Sequence, residues 1–215
     1  GGNLKLFSGP RRFTISGMTN NINQQNFSMQ DLIGSTSGGG RRNWGGQNFG
    51  GSSGISKNSS LGFNYQDNWG KKITVSGSYF YNTSSNTNIS RSVTEYNLTG
   101  DDGKYAADSS QTESKDYNHR VNMRIEYKID SMNTVLLVPR FSLQDNTSNR
   151  NAVSYITGGN VNSTGENLSL ASSTGYNIGN DLTWRHRFVK KGRTFSFRSS
   201  FSFNNRSSDQ TQLAR

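Results

Sequence analysis

The sequence predicts an all-β fold, an antiparallel up-and-down meander, and three observations predict it. Apolar and polar residues alternate with a period of two over long stretches, which places them on opposite faces of strands. Short clusters of turn-forming residues recur about every 60 residues, separated by long polar stretches. Helical signal is confined to one short segment, and no run of apolar residues approaches the length of a membrane helix.

The alternation is clearest from His119 to Ile129. Odd positions read His-Val-Met-Ile-Tyr-Ile and the even ones between them Arg-Asn-Arg-Glu-Lys. Taken in chain order, strands are expected over 3–8, 12–22, 59–66, 72–82, 117–129, 134–144, 175–188 and 194–205. In the second, Phe13, Ile15 and Gly17 oppose Thr14 and Ser16. In the third, Leu61, Phe63 and Tyr65 oppose Gly62, Asn64 and Gln66. The fourth sets Ile73, Val75, Gly77, Tyr79 and Tyr81 against Thr74, Ser76 and Ser78. Leu182, Trp184, His186 and Phe188 mark the seventh, and Phe195, Phe197, Phe201 and Phe203 the eighth. The sixth is less regular. Val135-Leu136-Leu137-Val138 is apolar on both faces and Pro139 follows it, so either a bulge or register change occurs there, or Leu136 and Val138 pack on the polar side.

Two kinds of connection alternate. Ser8-Gly9-Pro10-Arg11, Asp67-Asn68-Trp69-Gly70-Lys71, Asp130-Ser131-Met132-Asn133 and Val189-Lys190-Lys191-Gly192-Arg193 have the glycine, proline and Asx chemistry of tight turns. The stretches near 23–58, 83–116 and 145–174 read as long loops. The first holds a possible helical turn, Ser28-Met29-Gln30-Asp31-Leu32-Ile33, and a glycine-rich run from Gly38 to Gly54. Because hairpins reverse direction, all short turns fall at one end of the sheet and all long loops at the other.

Composition narrows the functional classes. The 215 residues are 29% hydrophobic with a mean hydropathy of −0.81, yet 11% are aromatic and ordered periodicity argues against disorder. Cysteine is absent, which excludes disulfides and thiolate chemistry. The chain opens on Gly1-Gly2 and stops at Arg215 just after a strand, so residues 1–215 read as one partial domain, an excerpt without signal peptide or plug. The formal charge is +10. Nucleic-acid binding would need cations and aromatics on one face, whereas here they alternate on opposite faces, so no nucleic-acid partner is expected.

The apolar face has two candidate neighbours. Against lipid, the chain is a segment of a transmembrane β-barrel with short periplasmic turns and long extracellular loops. Tyr65, Trp69, Tyr127, Trp184 and Phe188 then form a membrane-interface belt near the short turns, and Tyr79, Tyr81, Tyr117 and Tyr176 one near the long loops. Val75, Gly77, Val121, Met123 and Ile125 lie between. Against another sheet, the chain is a soluble β-sandwich or fibre, which explains the alternation but not the sorting of aromatics by height.

Several segments resemble the outer-membrane barrels of Gram-negative bacteria similar to TonB-dependent receptors. They are Asn20-Asn21-Ile22-Asn23-Gln24-Gln25-Asn26-Phe27 leading into the glycine-rich run, Tyr65 to Asn68-Trp69-Gly70-Lys71-Lys72, Gly77-Ser78-Tyr79-Phe80, and Tyr117-Asn118-His119-Arg120. The resemblance spans nearly the whole chain and rests on order and spacing rather than on one specific motif. It implies the cell outer membrane, a wider barrel than these strands supply, and uptake of a bulky solute. The partners it implies are outer-membrane lipid, a plug domain and further barrel strands, with an energy-coupling protein or surface lipoprotein as additional candidates. The alternative function is a non-transporting surface adhesin or fibre.

The lumen-facing register carries Arg120, Arg124, Lys128, Arg140, Arg185, Arg187 and Arg198, together with Arg12, Glu126 and Asp181. These form either a cationic wall for a plug or anionic solutes, or a set of cross-strand ion pairs in a wet interior. Lys71, Lys72, Lys190, Lys191 and Arg193 gather at the short-turn end as interface anchors. Glu95, Asp101, Asp102, Asp108, Glu113 and Asp116 make one long stretch acidic, without calcium-loop spacing. His119 and His186 fall on the apolar register of separate strands, where an interfacial ring is expected rather than a metal ligand. No serine has a base spaced to activate it, and neither catalysis, nor a metal, nor a cofactor is expected.

Overall fold

The computed structural model describes residues 1–21, 54–96, 104–158 and 161–215. These form one sheet of eight strands in sequential order, each antiparallel to the next. They are β1 (Gly2–Ser8), β2 (Arg11–Asn20), β3 (Ile55–Trp69), β4 (Ile73–Tyr96), β5 (Lys104–Lys128), β6 (Asn133–Gly158), β7 (Val161–Arg187) and β8 (Thr194–Ala214). The expected meander is present, the described residues include no helix, and the sheet is open, with β1 and β8 as its edges.

The four short connections share one end. Gly9 has a φ of 59° and begins a two-residue hairpin loop closed by the Ser8–Arg11 pair, as the mirror-image turns of hairpins require. Gly70 and Gly192 take φ values of 68° and 81° in the next such connections on either side of the sheet centre. At the β5–β6 turn the Asp130 carboxylate replaces a glycine. Its Oδ1 accepts from the backbone N–H groups of Met132 and Asn133, both at 2.7 Å.

Two expectations need correction. The stretches 83–116 and 145–174 are largely sheet rather than loop: β4 continues to Tyr96, β5 starts at Lys104, β6 reaches Gly158 and β7 starts at Val161. Polar residues prevail on both faces there, and apolar ones such as Ile89, Val93 and Leu170 are too sparse to set a period-two pattern, while an unbroken ladder supplies the pairing. The Ser28–Ile33 segment and the glycines from Gly38 to Gly51 lie outside the described residues. The second correction concerns Pro139. Pairing of β5 with β6 keeps one register from Tyr105–Thr157 to Lys128–Thr134, without a bulge; only the rungs at Met123 and Arg124, opposite Pro139 and Val138, are missing. On its other side Pro139 still pairs with Asn180. The proline's absent donor thus falls toward β5, and the ladder tolerates the gap without slipping.

Among the described residues no second layer covers the sheet. Among the described residues Val75 and Ala106 are the only buried apolar side chains. In the upper parts of β5 and β7 the face that is apolar lower down is the more exposed one. Along β5, Gln111, Glu113, Lys115 and Tyr117 are exposed while Thr112, Ser114, Asp116 and Asn118 are half-buried. Along β7, Ser172, Thr174, Ile178 and Trp184 are exposed, whereas Ala171, Ser173 and Gly175 are half-buried and Gly179 is buried. In β3 the buried Ser56, Gly62 and Asn64 share this inner face. Such a pattern belongs to a sheet curled around its polar face, with its apolar face convex and outward.

Candidate functional site

Constant registers convert the alternation into horizontal rungs. One rung of the convex face reads Trp69–Ile73–Tyr127–Val135–Trp184–Phe197. Eight residues farther from the short turns another reads Leu61–Tyr81–His119–Leu143–Tyr176–Asn205, and Tyr117 stands one rung of the same face beyond it. All eight aromatic candidates within strands therefore lie on one face. Phe188, the ninth, follows the end of β7 and meets the His186 ring edge-on at a centroid distance of 4.7 Å.

Between the two rungs lie Phe63, Val75, Tyr79, Val121, Met123, Ile125, Phe141, Ile178, Phe201 and Phe203. Phe201 is 57% exposed and Trp69 53%. The phenylalanines strengthen both belts beyond the tyrosines and tryptophans singled out from sequence. Tyr65 sits higher than Trp69 but is tied to it: the Trp69 indole N–H donates to the Tyr65 hydroxyl (3.2 Å), and that hydroxyl donates to Asp67 Oδ2 (3.1 Å). Arg11 Nε donates to the same oxygen at 3.0 Å. Asp67, a carboxylate on the apolar face, is 5% exposed and has its charge matched inside this cluster. Sequence reasoning missed it, although Arg11 and Asp67 flank two adjacent turns.

Above the Tyr117 rung the same face has a polar row, Ser85, Lys115, Thr147, Ser172 and Asp209, and beyond it exposed apolar residues such as Ile89, Leu170 and Leu213 stand scattered among polar ones.

The concave face carries all seven proposed cations, Arg120, Arg124, Lys128, Arg140, Arg185, Arg187 and Arg198. Asp181 is ion-paired to Arg140 and, at 3.3 Å, to Arg198. Arg124 pairs with Glu126 at 3.3 Å, and Arg187 donates to the Ser131 carbonyl at 2.9 Å. Cross-strand pairing therefore accounts for part of this wall.

The charge is unevenly distributed along the strands. Consider the part between the short turns and the rung Lys5–Thr14–Asn64–Ser78–Asn122–Arg140–Gly179–Ser202. It holds Lys5, Arg11, Arg12, Lys71, Lys72, Arg124, Lys128, Arg140, Arg185, Arg187, Lys190, Lys191, Arg193 and Arg198, against Asp67, Glu126, Asp130 and Asp181. With 24 basic and 14 acidic residues in all, this leaves ten of each for the rest of the chain. The net charge of this part is thus +10, and the remaining residues of the sequence sum to zero.

The acidic residues expected on a loop are on strands where described. Glu95 accepts from the Tyr105 hydroxyl, Glu113 from Gln111, and Asp116 from the Asn146 amide. Asp101 and Asp102 lie outside the described residues. His119 hydrogen-bonds Tyr79 through Nδ1 (2.9 Å) and His186 bonds Asn133 (2.8 Å), so each is part of a rim cluster of rings. Among the described residues no three His, Cys, Asp or Glu converge as metal ligands. Farther up the concave face is a groove of about 530 Å³ lined by small residues such as Ser90, Ser110, Ser154 and Gly165, with Asp108 and Arg150 on its walls.

No family model and no curated protein matches this sequence. Among solved structures it is similar to the CymD monoaromatic hydrocarbon channel, with 6% identity over 99% of this chain and 80% of that one, at a TM-score of 0.21. It is also similar to the ferric yersiniabactin uptake receptor FyuA from Yersinia pestis, with 10% identity over 99% of this chain and 40% of the receptor, at a TM-score of 0.23. A third is OmpT lacking loop L8, an outer membrane protein of Vibrio cholerae, at 7% identity, coverage of 99% and 78%, and a TM-score of 0.14. At such scores these likenesses decide neither fold nor activity, and the two faces of the sheet remain the guide.

Proposed function

We propose that this chain is part of the wall of an outer-membrane β-barrel that takes up a bulky solute, similar to the TonB-dependent receptors. The observation that carries the membrane reading is the sorting of faces on an uncovered sheet: Trp69, Trp184, Phe197 and Phe201 stand exposed on the convex side, opposite Ser, Asn and Arg on the concave side. A soluble sheet buries the opposite set. From the Tyr127 rung to the Tyr117 rung is ten residues, roughly 34 Å along an antiparallel strand. At a tilt of about 40° that is about 26 Å of height, the size of the apolar band of such barrels. The concave face then lines the lumen. Further strands would pair with the β1 and β8 edges, and the polar extensions of β4 to β8 would stand outside the membrane for capture.

The test is detergent phase partitioning of the full-length protein, with heat-modifiable gel mobility on the same sample. Recovery in the detergent phase and a mobility shift on boiling are expected. Recovery as a soluble species without detergent would overturn the membrane reading in favour of a surface adhesin or fibre.

A further inference from the structure

We infer that the short-turn rim binds the headgroups of anionic phospholipids in the leaflet on its side of the membrane, an inference that rests on the barrel reading above. Lys71, Lys72, Lys190, Lys191 and Arg193 are exposed in turns directly beyond the Trp69–Tyr127–Trp184–Phe197 rung. Side chains at that level lie where a bilayer changes from acyl chain to headgroup. Their charge is not used up by the protein. Among the described residues the ion pairs engage Arg11, Arg124, Arg140 and Arg198 and none of these five. The nearby carboxylates are spent: Asp67 is held by Arg11 and Tyr65, and Asp130 by its own turn. Lys72 Nζ donates to the Ile129 carbonyl at 2.9 Å, which fixes an ammonium between two turns and leaves it further donors.

Charge complementarity selects the occupant. A neutral zwitterionic headgroup brings its own cation to an already cationic rim. A headgroup with net negative charge offers phosphate oxygens alone, and each Lys or Arg near an anionic surface strengthens attachment by about fivefold. The attraction acts at the rim, where the aromatic belt has already set the depth, and salt weakens it.

The experiment uses full-length protein in nanodiscs made of equal parts phosphatidylglycerol and phosphatidylcholine. After transfer to a neutral detergent, the retained lipids are counted by native mass spectrometry. Phosphatidylglycerol is expected to exceed phosphatidylcholine by at least about fivefold, the effect of one engaged cation. In the variant Lys71→Gln/Lys72→Gln/Lys190→Gln/Lys191→Gln the ratio should fall to about twofold or less, with the heat-dependent mobility shift intact. Equal retention of the two lipids by heat-modifiable wild-type protein would overturn the inference and leave the barrel reading standing. Failure to enter nanodiscs of any composition would remove both.

Discussion

Arg140 and Asp181 pair diagonally across β6 and β7, because the residue directly opposite Arg140 is Gly179 and the one opposite Asp181 is Val138. Gly179 has no side chain to occupy the space that the arginine crosses. Asp181 also reaches Arg198 on β8, so one carboxylate ties three strands on the concave face. Asp181→Asn is expected to cost about 1–3 kcal/mol, since two guanidinium groups lose their shared counter-charge. Arg198→Gln should cost less, about 0–1 kcal/mol, because its side chain is half exposed. The midpoint temperature of the gel mobility shift reads both, and equal midpoints for wild type and Asp181→Asn would refute the bridging role.

The two faces should respond oppositely to one new charge. Met123 and Ser78 lie near the same height, on the convex and concave faces respectively. On the barrel reading Met123→Lys is aimed at lipid and is expected to destabilise by about 2–4 kcal/mol, whereas Ser78→Lys faces an aqueous lumen and should stay within about 1 kcal/mol. Folding yield into neutral vesicles measures this. Tolerance of Met123→Lys would contradict a lipid neighbour.

Much of the lower sheet was legible because a residue on a two-faced strand reports its side. His119 to Ile129 gave β5 its orientation, and the turn glycines and Asp130 gave the hairpin ends. The upper halves of β4 to β7 were not legible. Thr112, Asn149 and Ser169 face the same kind of surroundings on either side, so polarity does not alternate, and Ser and Asn carry little strand preference of their own. Asp67 escaped notice because its partner, Arg11, is brought beside it only by the β2–β3 register.

That extended sheet makes its own prediction. Backbone N–H groups at Thr112, Asn149 and Ser169 belong to continuous ladders. Their amide exchange should be slowed at least about a hundredfold relative to an unstructured chain. Exchange at the unprotected rate would mean that 83–116 and 145–174 are loops after all.

The Asp130 turn supplies a pH-dependent signal. Hydrogen bonds from the Asn133 side chain, then from the Met132 and Asn133 backbone N–H groups, hold the Asp130 carboxyl below its ordinary 3.8. A carboxylate with a lowered folded-state pKa stabilises the turn fully above the unfolded value. That stabilisation is lost as pH falls through the folded-state value. The Met132 and Asn133 amide resonances should therefore move together, with a midpoint below 3.8, in a titration followed by nuclear magnetic resonance. Asp130→Ala should abolish the movement and loosen the β5–β6 turn, while Asp130→Asn, which keeps an acceptor oxygen, should abolish the titration but retain most of the turn. A midpoint at or above the ordinary value would show that these donors do not favour the charged form.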